Sequence, residues 1–445
     1  MAKLNGLRFY VETFGCQMNE NDSERIAGLL SAAGAVPVGR PEDSQVTIVN
    51  TCAVRGKSEE KLFSYLGRLR RLKKKTGLAI GVAGCVAQLY RDKVFDRNPG
   101  VDFVLGPDNY HLLPALLEGE LGPRKVFTDW SKDWREDERR PYLRHSSMSA
   151  YVTIMEGCDN FCAYCVVPFT RGREKFRPLR AILDELRGLA EDGYKEVQFL
   201  GQNVNAYRDP ESGSAFRDLL KAADDIEGLE WLRFITSHPK NFGPDIAEAM
   251  ALSRRVCRQL HLPLQSGSSA VLERMKRGYT REKYLEKIRI LRSFMPEIAL
   301  STDIIVGFPG ETESEFADTL SILEEIRFAN IFSFRYSPRP RTAAAGYDDN
   351  VPFEIKRRRL IEVQSLQKTI QNQIHLDFIG RTIRVFCQGK SKKDQRIYSG
   401  RSEGYQVVNF RSDIDVLGRF VPVRVTACGP YSLRGEIDAT APGPA

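Results

Sequence analysis

The chain has no run of about eighteen or more apolar residues, so nothing in it reads as a membrane-spanning helix. Its opening, Met1 to Gly6, lacks the apolar core that a secretory signal needs. Its nine cysteines form no dense framework. That argues against a disulfide-stapled domain and for a reducing compartment, where thiols bind metal or stay free. Neither sign of charge dominates: 66 Lys and Arg against 58 Asp and Glu leave a net +8, too mild over 445 residues to prove a polyanionic partner. Hydrophobic residues at 42% and charged residues at 28% are ordinary globular composition, with length for two or three domains. The expectation is a cytoplasmic protein that does not engage a membrane.

A further absence is local and more informative. Cys158, Cys162 and Cys165 follow a strand-like run, Ala150 to Met155, and no fourth Cys or His lies nearby. Iron–sulfur clusters are normally held by four thiolates, so three ligands leave one iron of a four-iron cluster open to another molecule. The alternative, a zinc knuckle, usually pairs two short Cys hairpins into four ligands.

Residues 1–125 alternate apolar strands with helical patterns: strands at Leu7–Thr13, Gln45–Asn50, Leu78–Ala83 and Val101–Leu105, helices at Asp22–Ala33 and Ser58–Lys75. Short continuous apolar strands between helices predict an open α/β domain with a parallel sheet. Cys16, Cys52 and Cys85 each fall just after one of the first three strands. Loops that follow parallel strands gather at the sheet's carboxyl edge, so thiols distant in sequence would meet there. Gly15 and Gly84 beside them permit the close backbone approach a cluster requires. Three free, buried cysteines are the plainer alternative.

Residues 126–147 read as a linker, with Trp130 and Trp134 as anchors and a charged stretch from Arg135 to Arg140. Residues 148–378 repeat the strand–helix scheme. Strands at Tyr151–Met155, Glu196–Leu200, Trp231–Ile235, Gln259–Leu264, Ile298–Val306 and Ile331–Tyr336 predict a (β/α)6-type partial barrel with function at the strand C-terminal ends. A helix with a basic beginning follows, Phe353–Phe378. Residues 379–440 carry β-like runs at Thr382–Cys387, Tyr405–Phe410 and Val421–Ala427, which predict a small antiparallel β-barrel, either an RNA grip or a packing module. The tail Ala439–Ala445 is expected to be disordered. Basic runs at Arg68–Lys75, Lys356–Arg359 and Lys390–Arg396 each suit a solvated face, and together they favour a nucleic-acid partner.

The segments Thr13–Glu20 (TFGCQMNE), Asn50–Arg55 (NTCAVR), Glu156–Arg173 (EGCDNFCAYCVVPFTRGR), Leu200–Asn205 (LGQNVN), His261–Ser268 (HLPLQSGS) and Ser301–Thr312 (STDIIVGFPGET) resemble the radical S-adenosylmethionine (SAM) methylthiotransferase family. The resemblance covers nearly the whole chain, in that family's order of N-terminal, radical SAM and TRAM domains. Gly15 to Asn19 are similar to the branch that acts on tRNA rather than on a ribosomal protein. The resemblance implies two [4Fe–4S] clusters, one on Cys158, Cys162 and Cys165 that binds SAM, and an auxiliary one on Cys16, Cys52 and Cys85. It implies methylthiolation at C2 of N6-isopentenyladenosine in the anticodon stem-loop, with an electron donor and a sulfur or cluster supply as further partners. Tyr164, Gly201, Gln202, Ser237 and Gln265, on the polar strand ends, are the expected SAM contacts. The C2–H bond of adenine is not acidic enough for a protein base, so a carbon radical is required and the protein's part is to position and protect it.

Overall fold

The computed structural model describes residues 4–54, 56–119, 124–134, 142–391, 394–438 and 440. Arg55, the run Arg135–Arg140, Lys392, Lys393 and all of the tail but Thr440 lie outside the described residues.

The N-terminal sheet has the order β2-β1-β3-β4-β5-β6, with every pairing parallel. Its strands are β1 (Arg8–Phe14), β2 (Val36–Pro37), β3 (Val46–Thr51), β4 (Ala79–Ala83), β5 (Phe103–Leu105) and β6 (Lys125–Phe127). β3 is buried along its whole length, as a strand covered on both faces must be. The covering helices are α1 (Gln17–Ala32), α2 (Gly56–Thr76), α3 (Cys85–Tyr90), α4 (Lys93–Arg97) and α5 (Leu113–Leu117). Two expectations are corrected. β6 crosses the boundary at 125, so the expected linker begins inside the sheet. α1 starts at Gln17, five residues before the expected Asp22, because its first turns hide polar residues: Asn19, Asn21, Asp22 and Glu24 are buried against other elements.

The central domain runs β7 (Ser149–Thr153), β8 (Met155–Glu156), α6 (Val167–Thr170), β9 (Lys175–Phe176), α7 (Leu179–Glu191), β10 (Glu196–Leu200), α8 (Phe216–Asp224), β11 (Trp231–Phe234), α9 (Pro244–Leu252), β12 (Gln259–His261), α10 (Ser269–Arg274), α11 (Arg281–Phe294), β13 (Ala299–Val306), α12 (Glu313–Ile326) and β14 (Asn330–Arg335). Two parallel three-stranded sheets, β11-β10-β7 and β12-β13-β14, are joined through a parallel bridge between Leu232 and Val256. β13 alternates half-buried and buried residues. Its buried Leu300, Ile304 and Val306 pack in the apolar layer shared with Ile288, Leu291, Phe316 and Leu323 of the outer helices. The result is a six-strand partial barrel.

After α13 (Phe353–Leu376), strands β15 (Thr382–Lys390), β16 (Ile397–Ser402), β17 (Val407–Arg411), β18 (Phe420–Cys428) and β19 (Leu433–Ile437) close a barrel in the order β15-β16-β17-β19-β18. A closed ring with an odd number of strands cannot be antiparallel throughout. The β17–β19 pair is the parallel one. This barrel docks on the N-terminal ends of β10 and β11. Trp231 is 3% exposed and meets Phe420 edge-on at 4.8 Å and Phe386 at 6.3 Å. Beside it the buried Arg233 guanidinium pairs with Glu196 at 2.6 Å and donates to the carbonyls of Ser402 and Glu403 at 2.9 and 2.7 Å. Trp231→Ala should remove about 3–5 kcal/mol from this junction, as large aromatic truncations do. Limited proteolysis would show it as faster release of the C-terminal barrel.

Candidate metal and cofactor site

α1 of the N-terminal domain docks on β7 of the partial barrel, which brings the two cysteine sets to one side of the molecule. The Thr153 hydroxyl donates to Asn21 Oδ1 at 2.7 Å, and Asn21 Nδ2 donates to the Tyr151 carbonyl at 3.3 Å. Arg144 in the connecting segment holds Glu24 of α1 at 3.5 Å and Glu185 of α7 at 2.5 Å. Val166, the residue after Cys165, is buried in the core of the N-terminal domain.

The first set sits at the carboxyl edge of the N-terminal sheet, as its place after the strands requires. Cys16 is the N-cap of α1, Cys52 follows β3, and Cys85 opens α3. A Cβ on Gly15 would lie 2.8 Å from the Cys52 Cβ, so only glycine lets these two loops touch. Asn50, buried between them, receives a bond from Asn19 Nδ2 at 3.1 Å and donates to the Asn19 carbonyl at 2.8 Å. The hydrogen bond from Cys52 brings the Cys16 thiol down to about 6, against the effect of burial. Donating that bond and being buried push Cys52 up. Burial raises Cys85, opposed by the charge of Arg171. Arg171 comes from the other domain, six residues past Cys165. Its Nε donates to Cys85 Sγ at 3.2 Å, and its guanidinium forms a buried pair with Asp22 of α1.

The second set hangs on a loop between β8 and α6. Gly157 has φ +83°, and a Cβ there would fall 1.9 Å from the Arg173 carbonyl oxygen, so the turn into Cys158 needs glycine. Gln202 accepts from the Gly157 N–H at 2.5 Å, which fixes the loop to the end of β10. Cys158 accepts from Asn160 Nδ2 at 3.3 Å. Cys162 accepts from Arg277 at 3.3 Å, and His238 Nε2 lies 4.0 Å from the same sulfur. Burial, then the charge of Arg277, lowers His238 to about 2, so it is neutral. Burial raises Cys158, and pushes Cys165 up to about 12.

The donor chemistry fits the groups expected. Metal ligation needs thiolates, and burial opposes them. Each set receives one buried guanidinium, Arg171 or Arg277, that offsets this cost. Among the described residues no three His, Cys, Asp or Glu form a group that could hold a single metal ion. Polar atoms that burial should pair are left over at the strand ends: Ser237 Oγ, Gln265 Oε1 and Asn203 Oδ1 make no hydrogen bond within the fold. Gln265 is also held at φ +75°, a strained position for a side-chain-bearing residue. Gly201 packs on Met155, whose sulfur would lie 2.7 Å from an added Cβ. Tyr164 is half-buried against Ala163, Met275 and Phe308. Spacing had no means of finding Arg171, Arg277 or Asn50, since each acts on a sulfur or loop far away in sequence.

Comparison with known proteins agrees with this architecture. Residues 8–106 match a family described as uncharacterized protein family UPF0004, residues 152–323 the radical SAM superfamily, and residues 377–437 the TRAM domain. Two solved structures share the fold: the radical SAM methyltransferase TsrM from Kitasatospora setae, with TM-score 0.55 and 15% identity over 76% of this chain and 77% of that one, and the cobalamin-dependent radical enzyme OxsB, with 0.56 and 12% over 82% and 56%. The chain is therefore built as a radical SAM enzyme carrying a TRAM barrel. The tRNA-2-methylthio-N(6)-dimethylallyladenosine synthases of Geobacter metallireducens and Solibacter usitatus are each 44% identical to it, over 96% of this chain and 98% of the first, and 98% of this chain and 99% of the second. It belongs to that synthase family, within the radical SAM methylthiotransferases.

Proposed function

We propose that the chain methylthiolates C2 of N6-isopentenyladenosine beside the anticodon of tRNA, giving the 2-methylthio nucleoside. The observation that carries this reading is the Arg171 contact. The loop that leaves Cys165 inserts a guanidinium onto Cys85, so the two thiol sets share one buried junction instead of serving separate domains. Cys158, Cys162 and Cys165 are the ligands of the SAM-binding cluster in this proposal, and Cys16, Cys52 and Cys85 those of the auxiliary one. When bound, the two clusters and SAM supply the electron, the carbon radical and the methylated sulfur that the reaction needs.

The chain's own residues do the rest. Arg171 and Arg277 stabilise thiolate charge in a buried setting. Ser237 Oγ, Gln265 Oε1 and Asn203 Oδ1 offer the free acceptors to the polar groups of SAM. Gly201 and Gln202 hold the cysteine loop in register, and Tyr164 gives an aromatic wall for the adenine. The N-terminal domain through β6, residues 148–378 and residues 379–440 divide the work into sulfur delivery, radical generation and RNA binding. Among the described residues no helix is long and apolar enough to cross a membrane. SAM cleavage must be started by an electron, and each turnover consumes a sulfur atom, neither of which this chain makes, so a reductant and a sulfur or cluster supply act as partners.

Mass spectrometry of nucleosides, after isopentenylated tRNA is incubated with reconstituted enzyme, SAM and reductant, tests the reading. A mass gain of one methylthio group on the isopentenyladenosine is expected. Unmodified tRNA beside active SAM cleavage would remove tRNA as the substrate.

A further inference from the structure

The three basic runs of the sequence have different fates in the fold. In the run from Lys356 to Arg359 every cation has a carboxylate: Lys356 pairs with Asp349 at 2.5 Å, Arg357 with Glu354 at 3.5 Å, Arg358 with Glu313 at 2.7 Å and Arg359 with Glu311 at 2.7 Å. Lys356 and Arg359 are buried besides. Of the cations in the third run only Lys390 and Arg396 are among the described residues, and they pair with Asp415 and Asp394, both at 3.3 Å. α2 differs. Among the described residues Lys73 alone is neutralised there, by Asp102 at 2.5 Å. Lys61, Arg68, Arg71 and Lys75 have no carboxylate within 4.0 Å among the described residues, and all four are exposed.

These four cations occupy one face of α2, because spacings of three, four and seven return to the same side of a helix. They cover about 21 Å of its length at 1.5 Å per residue. Lys61, Arg68 and Arg71 line a groove of about 500 Å³, together with Glu60, Ser64 and Tyr65. The Arg68 guanidinium lies 4.5 Å over the Tyr65 ring, which leaves a flat cationic surface. Tyr65 packs edge-on against Phe14 at 5.5 Å, and Phe14 is two residues from Cys16. The upper end of α2 begins four residues after Cys52, and the Arg339 guanidinium reaches its first residue, 3.2 Å from where a Gly56 Cβ would be. The helix therefore starts near Cys52, and the stripe, from Lys61 onward, leads away from that thiol set.

We propose that this face of α2 binds the phosphate backbone of the substrate tRNA, as a second anchor besides the C-terminal barrel. The inference rests on the tRNA reading above and deepens it. Geometry asks for such an anchor. The C-terminal barrel is docked on the N-terminal ends of β10 and β11, while the loop of Cys158, Cys162 and Cys165 is tied to Gln202 past the opposite, C-terminal end of β10, and Arg171 beyond that loop meets Cys85 of the first set. An RNA held only by that barrel would be gripped at the end of the molecule away from the chemistry. Unpaired cations beside a stacked Arg–Tyr pair suit phosphates and a neighbouring base, the chemistry RNA presents.

The test uses full-length, cluster-reconstituted enzyme and fluorescently labelled isopentenylated tRNA, with affinity followed by anisotropy across a salt series. Arg68→Gln/Arg71→Gln should weaken binding at least tenfold. It should also flatten the plot of log affinity against log salt by about two units, roughly one per lost phosphate contact. Lys61→Gln, an exposed single change, should flatten it by about one and serves if the double variant is unstable. A variant with wild-type melting temperature and iron content, and with unchanged affinity and slope, would overturn the proposal and leave the face to an acidic protein. Tight, salt-dependent wild-type binding without methylthio product would instead defeat the reaction assigned above and leave this surface standing.

Discussion

Cys16→Ala should still cleave SAM to 5′-deoxyadenosine yet form methylthio product more than about 100-fold more slowly, a loss beyond what changes around a metal ligand cause. The two cysteine sets come from different domains, and each has its own hydrogen-bond partners: Asn19, Cys52 and Arg171 on one side, Asn160, Arg277 and the neutral His238 on the other. Losing a thiol from the first set leaves the Gly157–Gln202 contact and the Arg277–Cys162 contact untouched. Bound iron should fall by about half, since one of two equal clusters is lost. Cys162→Ala should do the reverse and abolish SAM cleavage, and with it product. Chromatography of 5′-deoxyadenosine and nucleoside mass spectrometry on the same reaction separate the two. Product at the normal rate from Cys16→Ala would end the auxiliary-cluster assignment.

Arg171→Met should destabilise the apo chain by about 3–5 kcal/mol, because it strands a buried carboxylate. The side chains of Arg171 and Asp22 are 2% and 6% exposed. Burial raises Asp22, and the adjacent Arg171 guanidinium is the largest influence opposing that shift, with a smaller one from Arg25. Tyr110 also donates to the Asp22 carboxylate, at 3.3 Å. Replacing both partners with apolar residues, Arg171→Met with Asp22→Leu, should recover much of the loss, since the isolated charge and not the missing pair carries the cost. Urea midpoints of the four proteins close the cycle. Additive losses would mean that the pair contributes nothing as a pair. Iron occupancy of the first set should fall in Arg171→Met, because Cys85 loses the guanidinium that donates to it.

The basic run from Lys356 to Arg359 shows how composition misleads. It is at least as densely charged as the run on α2, but the helix carrying it lies against Asp349, Glu311 and Glu313, and its cations are consumed in the fold. A sequence states which residues are charged and not which carboxylates lie opposite. The start of α1 escaped for a related reason. Its early polar residues face another domain, where Thr153, Arg171 and Arg144 satisfy them, so no apolar period marks the first turns. β16 and β19 carry little apolar pattern: of the five residues of β19 only Leu433 is buried. They exist because closure of the barrel gives their backbones partners on both sides.

The sequence by itself determined the inventory of candidate thiols and their local frames. Cys158, Cys162 and Cys165 on one loop, and Cys16, Cys52 and Cys85 each just past an apolar strand, are facts of spacing, and parallel strands leave such loops one edge to occupy. It also set the order of α/β sheet, partial barrel and small β-barrel, because period and turn residues are local. Tertiary structure alone decided that the two sets share a junction, that Arg171 reaches Cys85, that the C-terminal barrel sits at the far end of the strands, and which cations stay unpaired. Those outcomes depend on burial and on charges brought close across as many as 170 residues of chain, and Coulomb and desolvation terms follow distance in space, not in sequence.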